Sequence, residues 1–213
     1  ARREAPLREA EASLREKGVD VYAATCDVGE ASALDEFLET AKRRFERIDI
    51  LVNNASGFGF TDDEAGWNVS LNIDLLGSVR AARKAIPWMA DGGGGNILFI
   101  SSISGMEAGP QPYAAAKAAI ISYSKTLALR LAKKKIRVNT LAPGSIEFEG
   151  GLWANRRVNN PSLYNAAVAS IPWGRLGTPE EVADLAVFIV SERAGWVTGD
   201  CISVDGGQHK GNL

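Results

Sequence analysis

Tyr113 and Lys117 bound the run Tyr-Ala-Ala-Ala-Lys, four positions apart. The stretch continues as Ala-Ala-Ile-Ile, a composition that favours helix. On a helix, positions i and i+4 share a face, so a phenol and an ammonium stand side by side. A tyrosine ordinarily loses its proton near pH ~10, and an adjacent cation favours the phenolate and lowers that value. The pair therefore predicts a tyrosine that exchanges a proton with a substrate oxygen near neutral pH. Both residue types are common on ordinary amphipathic helices, so the spacing gains meaning only from its surroundings.

Those surroundings alternate between two kinds of segment. Short β-branched runs lie at Val19–Val28, Ile48–Ala55, Asn96–Ser102, Ile136–Ala142 and Cys201–Asp205. Helical stretches lie at Pro6–Lys17, Ala31–Arg47, Asp62–Met89, Tyr113–Lys134 and Pro179–Ser191. Near-continuous apolar strands alternating with helices predict an α/β fold, a doubly wound parallel sheet covered on both faces. Thr178-Pro-Glu-Glu reads as an N-cap, a first-turn proline and two acids that favour the helix dipole. Thr61 or Asp62 is the expected cap of the long middle helix. Gly92–Gly95 precedes a strand, so it is a turn; a phosphate loop follows a strand and opens a helix. Gly144–Trp173 carries Gly150-Gly151, Trp153, Tyr164, Pro161, Pro172 and Trp173 with little periodicity. It follows a strand end, where open α/β sheets bind ligands. Residues 145–175 are read as a substrate-covering segment within a single domain, 1–213.

The 213 residues suit one domain, and a net charge of −2 gives no reason to expect nucleic acid or an acidic membrane surface as partner. No apolar run approaches the roughly 20 residues of a membrane span, and Ala1-Arg-Arg-Glu-Ala-Pro has no secretory-signal pattern. Cys26 and Cys201 each sit in a strand-like run, which predicts free thiols and a reducing cytoplasm. One His and two Cys without ligand spacing predict no metal site.

Polar and glycine signals recur at the ends of the apolar runs: Cys26-Asp27-Val28, Val52-Asn-Asn-Ala-Ser56, Ile100-Ser-Ser102 and Leu141-Ala-Pro-Gly-Ser-Ile146. In a doubly wound sheet these open on one edge. Each is weak alone. Their joint order, with Tyr-x-x-x-Lys just after the serines and Thr198-Gly-Asp-Cys-Ile-Ser-Val-Asp-Gly-Gly207 closing the chain, resembles the short-chain dehydrogenase/reductase family along the whole length, with a 3-oxoacyl-reductase-like cast. The resemblance implies a Rossmann-type sheet that binds NAD or NADP. It implies Tyr113 as general acid–base and Lys117 as the residue that lowers its pKa and holds the nicotinamide ribose. Ser102 would bond the substrate oxygen, and Asp74 stands where the family has a helix asparagine of a proton relay. Asp27 and Val28 match the adenine contacts. Asn54, Ala55 and Ser56 match the Asn-Ala-Gly segment at ribose and phosphates. Pro143, Gly144 and Ile146 match the segment that holds the carboxamide.

Several positions depart from the family pattern. Nothing like its opening strand, Gly-rich turn, helix and second strand stands before Ala1. A first βαβ unit of roughly 30 residues is thus missing from the sequence as given, which suggests that the natural chain is longer; the alternative is a truncated, cofactor-free paralogue. Its first strand would lie between the Val19–Val28 and Ile48–Ala55 strands, leaving these apart. Asp74 replaces asparagine, and Asn72 lies roughly 200° around the helix, so it is no substitute. Ser56 replaces glycine, and the Ser102-to-Tyr113 loop is short. The resemblance places Arg2 where NADP-specific members hold the 2′-phosphate, with Glu4 as a counter-influence, so NADP is expected before NAD. The implied activity is hydride transfer between a nicotinamide and a small carbonyl or alcohol. Two alternatives are 3-oxoacyl-thioester reduction, with a basic cluster at Arg130, Lys133, Lys134, Lys135 and Arg137, and a non-catalytic dinucleotide sensor or scaffold. Small residues Ala81, Ala82, Ala115, Ala116 and Ala119 suggest close helix contacts in a homotetramer, the assembly of relatives.

Overall fold

The structure, a computed structural model, describes residues 1–211. In chain order it runs α1 (Glu4–Glu16), α2 (Ala31–Phe45), β1 (Ile50–Asn53), α3 (Glu64–Val69), a π-helical turn (Ser70–Gly77) and α4 (Ser78–Asp91). It continues through β2 (Gly95–Ile100), α5 (Gln111–Leu131), β3 (Ile136–Pro143), α6 (Leu152–Asn159), α7 (Pro161–Ser170), α8 (Pro179–Val190) and β4 (Cys201–Val204). The strands pair in the order β1-β2-β3-β4, all parallel. Successive side chains of a strand face opposite ways. Ile97, Phe99, Ile136 and Val138 join α4 and α5 in the main core, while Leu98 and Leu141 meet Ile189 of α8 on the other face. Burial on both faces is why these strands read as continuous apolar runs.

The helix ends follow side-chain chemistry. Thr178 caps α8 in a reciprocal box: its Oγ1 accepts from Glu181 N, and Glu181 Oε2 accepts from Thr178 N at 2.9 Å. The cap of α3 is Asp63, not Thr61 or Asp62; its Oδ1 accepts from Gly66 N at 2.7 Å. Asp62 instead accepts from Trp67 Nε1, and Thr61 donates to Asp63. The expected single helix from Asp62 to Met89 is interrupted by the π turn, a form common at functional sites. That turn buries Asp74 against α5.

Val19–Val28 forms no strand. A strand needs a ladder partner about 4.8 Å away, and the described residues offer none beside it. Apart from the local turn from Glu30 N to Asp27 O, its main-chain bond outwards among the described residues runs from Cys26 N to Ala1 O, while Arg8 and Arg15 of α1 donate to Ala23 O and Val21 O. Cys26 still packs, with Leu34, Leu38 and Ala81, in a separate small core. Between this core and the open edge of β1 lies a hollow of about 130 Å³ lined by Val28, Leu51, Asn53 and Ala81. Ala81, Ala82 and Ala116, expected to serve subunit contacts, are buried inside the protomer, whereas Ala115 and Ala118 face outwards on α5. Both cysteines are free. No helix among the described residues is long and apolar enough to cross a membrane.

Candidate functional site

Parallel pairing brings the C-terminal ends of β1, β2 and β3 to one edge, where the polar signals of the sequence gather. Beyond β2, the two serines part. Ser101 is buried and donates to Lys117 O at 2.8 Å, which ties the strand end to α5. Ser102 starts a single 3₁₀ turn, its Oγ accepting from Ser104 N at 3.1 Å, and it faces Tyr113. The turn can lie this close to α5 because Gly105 has no side chain. A Cβ there would stand 2.7 Å from the Lys117 carbonyl carbon and 2.8 Å from Ala118 N.

Tyr113 and Lys117 lie on the inner face of α5, 8 % and 2 % exposed. Lys117 Nζ donates to Ile100 O at 3.0 Å and pairs with Asp74 Oδ1 at 3.3 Å. Asp74 also accepts from Ser56 Oγ at 2.5 Å and, through Oδ2, from Gly57 N at 3.2 Å. Ser56, Asp74 and Lys117 thus form one buried network behind the phenol. Asn72 turns away, as its position on the helix predicts: it donates to Gly29 O and accepts from Arg80.

The expected lowering of the Tyr113 pKa is not what the protein does. Burial pushes the phenol up to about 12; Ser102 pulls it down, the Asp74 charge raises it further, and Ser56 lowers it. The ammonium of Lys117 lies 5.4 Å from the Tyr113 ring centre, but it is turned to the Asp74 carboxylate. The Asp74 charge therefore acts on the phenol in the same direction as burial, and desolvation of the phenolate prevails. Burial likewise pushes the Lys117 ammonium down, and Asp74 restores part of that loss.

Sequence reasoning missed the cover over the phenol. The Phe58 ring stacks on Tyr113 at 5.7 Å, and Phe60 meets it edge-on at 5.3 Å. Both belong to the segment after β1. The run Phe58-Gly-Phe60 directly behind Asn-Asn-Ala-Ser-Gly was the available signal. Phe58 takes a φ of 53°, unusual for a bulky residue, which turns its ring onto Tyr113. Arg156 of α6 lies over Phe60 and Trp153, so the 145–175 segment reaches this cover.

A second group of expected residues gathers at the other end of the edge. Arg2 lies 3.7 Å from Asp27 Oδ2, with its side chain 63 % exposed. Asp27 Oδ1 accepts from Gly29 N at 2.9 Å, and Val28 lines the hollow beside β1. Asn54 and Ala55 are exposed at the mouth, whereas Asn53 is buried and its amide Nδ2 has no partner among the described residues. A buried amide without an acceptor is unfavourable, so this strand end fits a ligand rich in acceptor atoms, as a dinucleotide is. Pro143 closes β3, Gly144 N donates to Val204 O, and Ile146 bridges to Gly177. Gln208, which sequence reasoning passed over, holds this segment: its Oε1 accepts from Ser145 N and its Nε2 donates to Ser145 Oγ.

Comparison with known proteins agrees with this architecture. The family model described as Enoyl-(Acyl carrier protein) reductase matches residues 1–209. Dehydrogenase/reductase SDR family member 4 of Bos taurus is 33% identical over 216 residues, covering 97% of this chain and 76% of that protein. The 3-oxoacyl-(acyl-carrier-protein) reductase FabG of Thermotoga maritima is 35% identical over 198 residues, covering 89% and 76%. The L-sorbose reductase of Gluconobacter frateurii, solved with NADPH and L-sorbose, superposes with a TM-score of 0.89 at 34% identity, covering 99% and 85%. The chain belongs to the short-chain dehydrogenase/reductase family. It is an NAD(P)-dependent oxidoreductase that transfers hydride to or from a bound nicotinamide.

Proposed function

We propose that the protein moves hydride between NADP(H) and a small carbonyl or secondary-alcohol substrate. Tyr113 is the general acid–base, Ser102 the second donor to the substrate oxygen, and Lys117 the cation that holds the nicotinamide ribose. The bound cofactor supplies the redox chemistry. The observation that carries this reading is the convergence of Ser102 and Tyr113, with Lys117 fixed behind them by Ile100 O and Asp74. Hydride addition builds negative charge on the carbonyl oxygen, and donors already aimed there stabilise the transition state more than the ground state. With its proton held to about pH 12, Tyr113 stands in the acid form that carbonyl reduction needs.

Asp27 and Val28 flank the adenine. Asn54, Ala55 and Ser56 border the ribose and phosphates, and Pro143, Gly144 and Ile146 hold the carboxamide. Arg2 meets the 2′-phosphate: its guanidinium is exposed, and the Asp27 carboxylate stands 3.7 Å from it. Residues 145–175 cover the substrate. The protein works in the cytoplasm as a homotetramer.

A second reading, 3-oxoacyl-thioester reduction, is favoured by the Thermotoga relative and by exposed Arg130, Lys133, Lys134 and Lys135, which could meet an acidic carrier. Arg137 leaves that cluster, since it is committed to Val197 O and Ser191 O. The test is turnover over KM with NADPH and with NADH, on a panel of ketones and acetoacetyl thioesters, repeated with Arg2→Ala. NADPH should be preferred, and that preference should fall tenfold or more, about 1.4 kcal/mol, in Arg2→Ala. A preference for NADH would overturn the NADP assignment, and thioester turnover far above ketone turnover would favour the second reading. No turnover with any substrate would favour a sensor or scaffold.

A further inference from the structure

The aromatic cover over Tyr113 holds a cation without a counter-ion. Arg156, on α6, lays its guanidinium 6.0 Å from the centre of the Phe60 ring and 4.7 Å from that of Trp153. Among the described residues that guanidinium forms no ion pair and no hydrogen bond, although the adjacent Arg157 pairs with Glu147 at 3.1 Å. We propose that Arg156 binds a carboxylate of the substrate, so that the protein acts on oxo acids, or the matching hydroxy acids, whose carboxylate stands several bonds from the reacting carbon. The proposal narrows the substrate class of the oxidoreductase reading above and rests on it.

Three observations carry it. First, the cation is held ready. A guanidinium stacks on aromatic faces, and two rings set its direction before anything binds. Arg156 is half-buried, so its five donors are neither fully hydrated nor paired. A planar fork in that state matches a carboxylate, which accepts two parallel N–H bonds. Because the side chain is already ordered, less freedom is lost on binding.

Second, the acid of the same segment is engaged elsewhere. Glu147 gives Oε1 to Arg157, and its Oε2 accepts from the Tyr164 hydroxyl at 2.8 Å. Those contacts fasten α6 and α7 to the stretch after β3. The two adjacent arginines therefore differ in role: Arg157 ties the cover down, and Arg156 is left for a ligand.

Third, the place suits a substrate that also reaches the phenol. The Phe60 ring meets Tyr113 at 5.3 Å and Arg156 at 6.0 Å, so the guanidinium and the phenol share a neighbour. Arg156 stacks on Phe60 and Trp153 rather than on Tyr113, which sets it one ring beyond the phenol. A carbonyl bonded by Tyr113 and Ser102 and a carboxylate bonded by Arg156 are then separated by a ring or a short chain. Phe58, Phe60 and Trp153 gather apolar surface around that span, as the carbon skeleton of such an acid requires.

Stacking on two rings would also let Arg156 serve as a strut between α6 and the segment after β1. A strut supports every substrate alike, whereas a carboxylate site favours acids over neutral isosteres, so matched pairs carry the test. The pairs are 4-acetylbenzoate with 4-acetylbenzamide, and 5-oxohexanoate with 5-oxohexanamide. Affinity for the protein loaded with NADP⁺ is measured by calorimetry, and turnover with NADPH and Tm alongside, for the wild type, Arg156→Gln, Arg156→Lys and Tyr113→Phe. The wild type should bind at least one acid about tenfold or more tighter than its amide, the scale of a charge-assisted pair. That ratio should fall to about one in Arg156→Gln and be kept in part by Arg156→Lys, which retains the charge without the fork. Turnover over KM should follow the same ratio. Equal affinity for acid and amide in the wild type, no binding of either acid, or an Arg156→Gln variant that keeps the ratio overturns the proposal. So does an equal loss for acid and amide in Arg156→Gln, which is the behaviour of a strut. The two readings fail separately. Turnover that depends on Tyr113 but shows no preference for the acids removes the carboxylate site and leaves the oxidoreductase reading standing. An Arg156-dependent preference in binding with no turnover of any compound overturns that reading, and the substrate assignment with it.

Discussion

Tyr113 shows how far residue type and spacing reach. The Tyr-x-x-x-Lys run places phenol and ammonium on one helix face, and the structure keeps them there. The direction of the phenol's pKa was not legible, because it depends on burial and on a carboxylate thirty-nine positions away in sequence. The same holds for the contact of Ser56 with Asp74: both departures were visible, but only the π turn decides that they meet. A consequence for stability follows at this scale. An unfolded tyrosine ionises near pH ~10, whereas Tyr113 keeps its proton to about 12. Between those values the folded state binds more protons, so stability falls as pH rises through the window. The full effect is on the order of 2–3 kcal/mol. Thermal unfolding of the wild type should therefore decline more steeply than that of Tyr113→Phe from about pH 10 upwards. Parallel declines would contradict the raised pKa.

At the scale of elements, α5 does most of the positioning, and its neighbours are fitted to it. Gly105 lets the turn after β2 approach α5 closely enough for Ser102 to face Tyr113. Gly105→Ala would drive a Cβ into main-chain atoms of Lys117 and Ala118. Overpacking of this kind typically destabilises by about 1–3 kcal/mol. Because the displaced turn carries Ser102, turnover should fall by more than the stability change accounts for, read as kcat against the folded fraction. Unchanged turnover in a folded Gly105→Ala variant would mean that the approach does not position Ser102. Most helices were legible from periodicity and caps, with α8 matching its Thr178 signal closely. The π turn was not, since Ser70–Gly77 reads as ordinary helix until packing against α5 widens it.

For the whole molecule, the parallel sheet was legible because burial on both faces writes continuous apolar runs. Val19–Val28 has that composition too, yet it is no strand, because strand formation requires a ladder partner and composition does not supply one. Assembly belongs to this scale as well. With Ala81, Ala82 and Ala116 consumed by the protomer's own core, the homotetramer proposed above would draw on the outer face of α5, where Ala115, Ala118 and Leu129 are exposed. Light scattering at micromolar concentration should give the mass of a homotetramer with two-fold axes, the usual closed arrangement. A large residue at Ala118 should shift it towards smaller species. A monomeric mass for the wild type would contradict the assembly.

The central claim is that Tyr113 moves the substrate proton, and turnover of Tyr113→Phe tests it most directly. The variant keeps the ring that packs against Phe58 and Phe60 and removes the hydroxyl. Turnover should fall by on the order of 10²–10⁴, the scale of a lost general acid–base group, while cofactor affinity stays unchanged. Near-normal turnover by Tyr113→Phe would contradict the account.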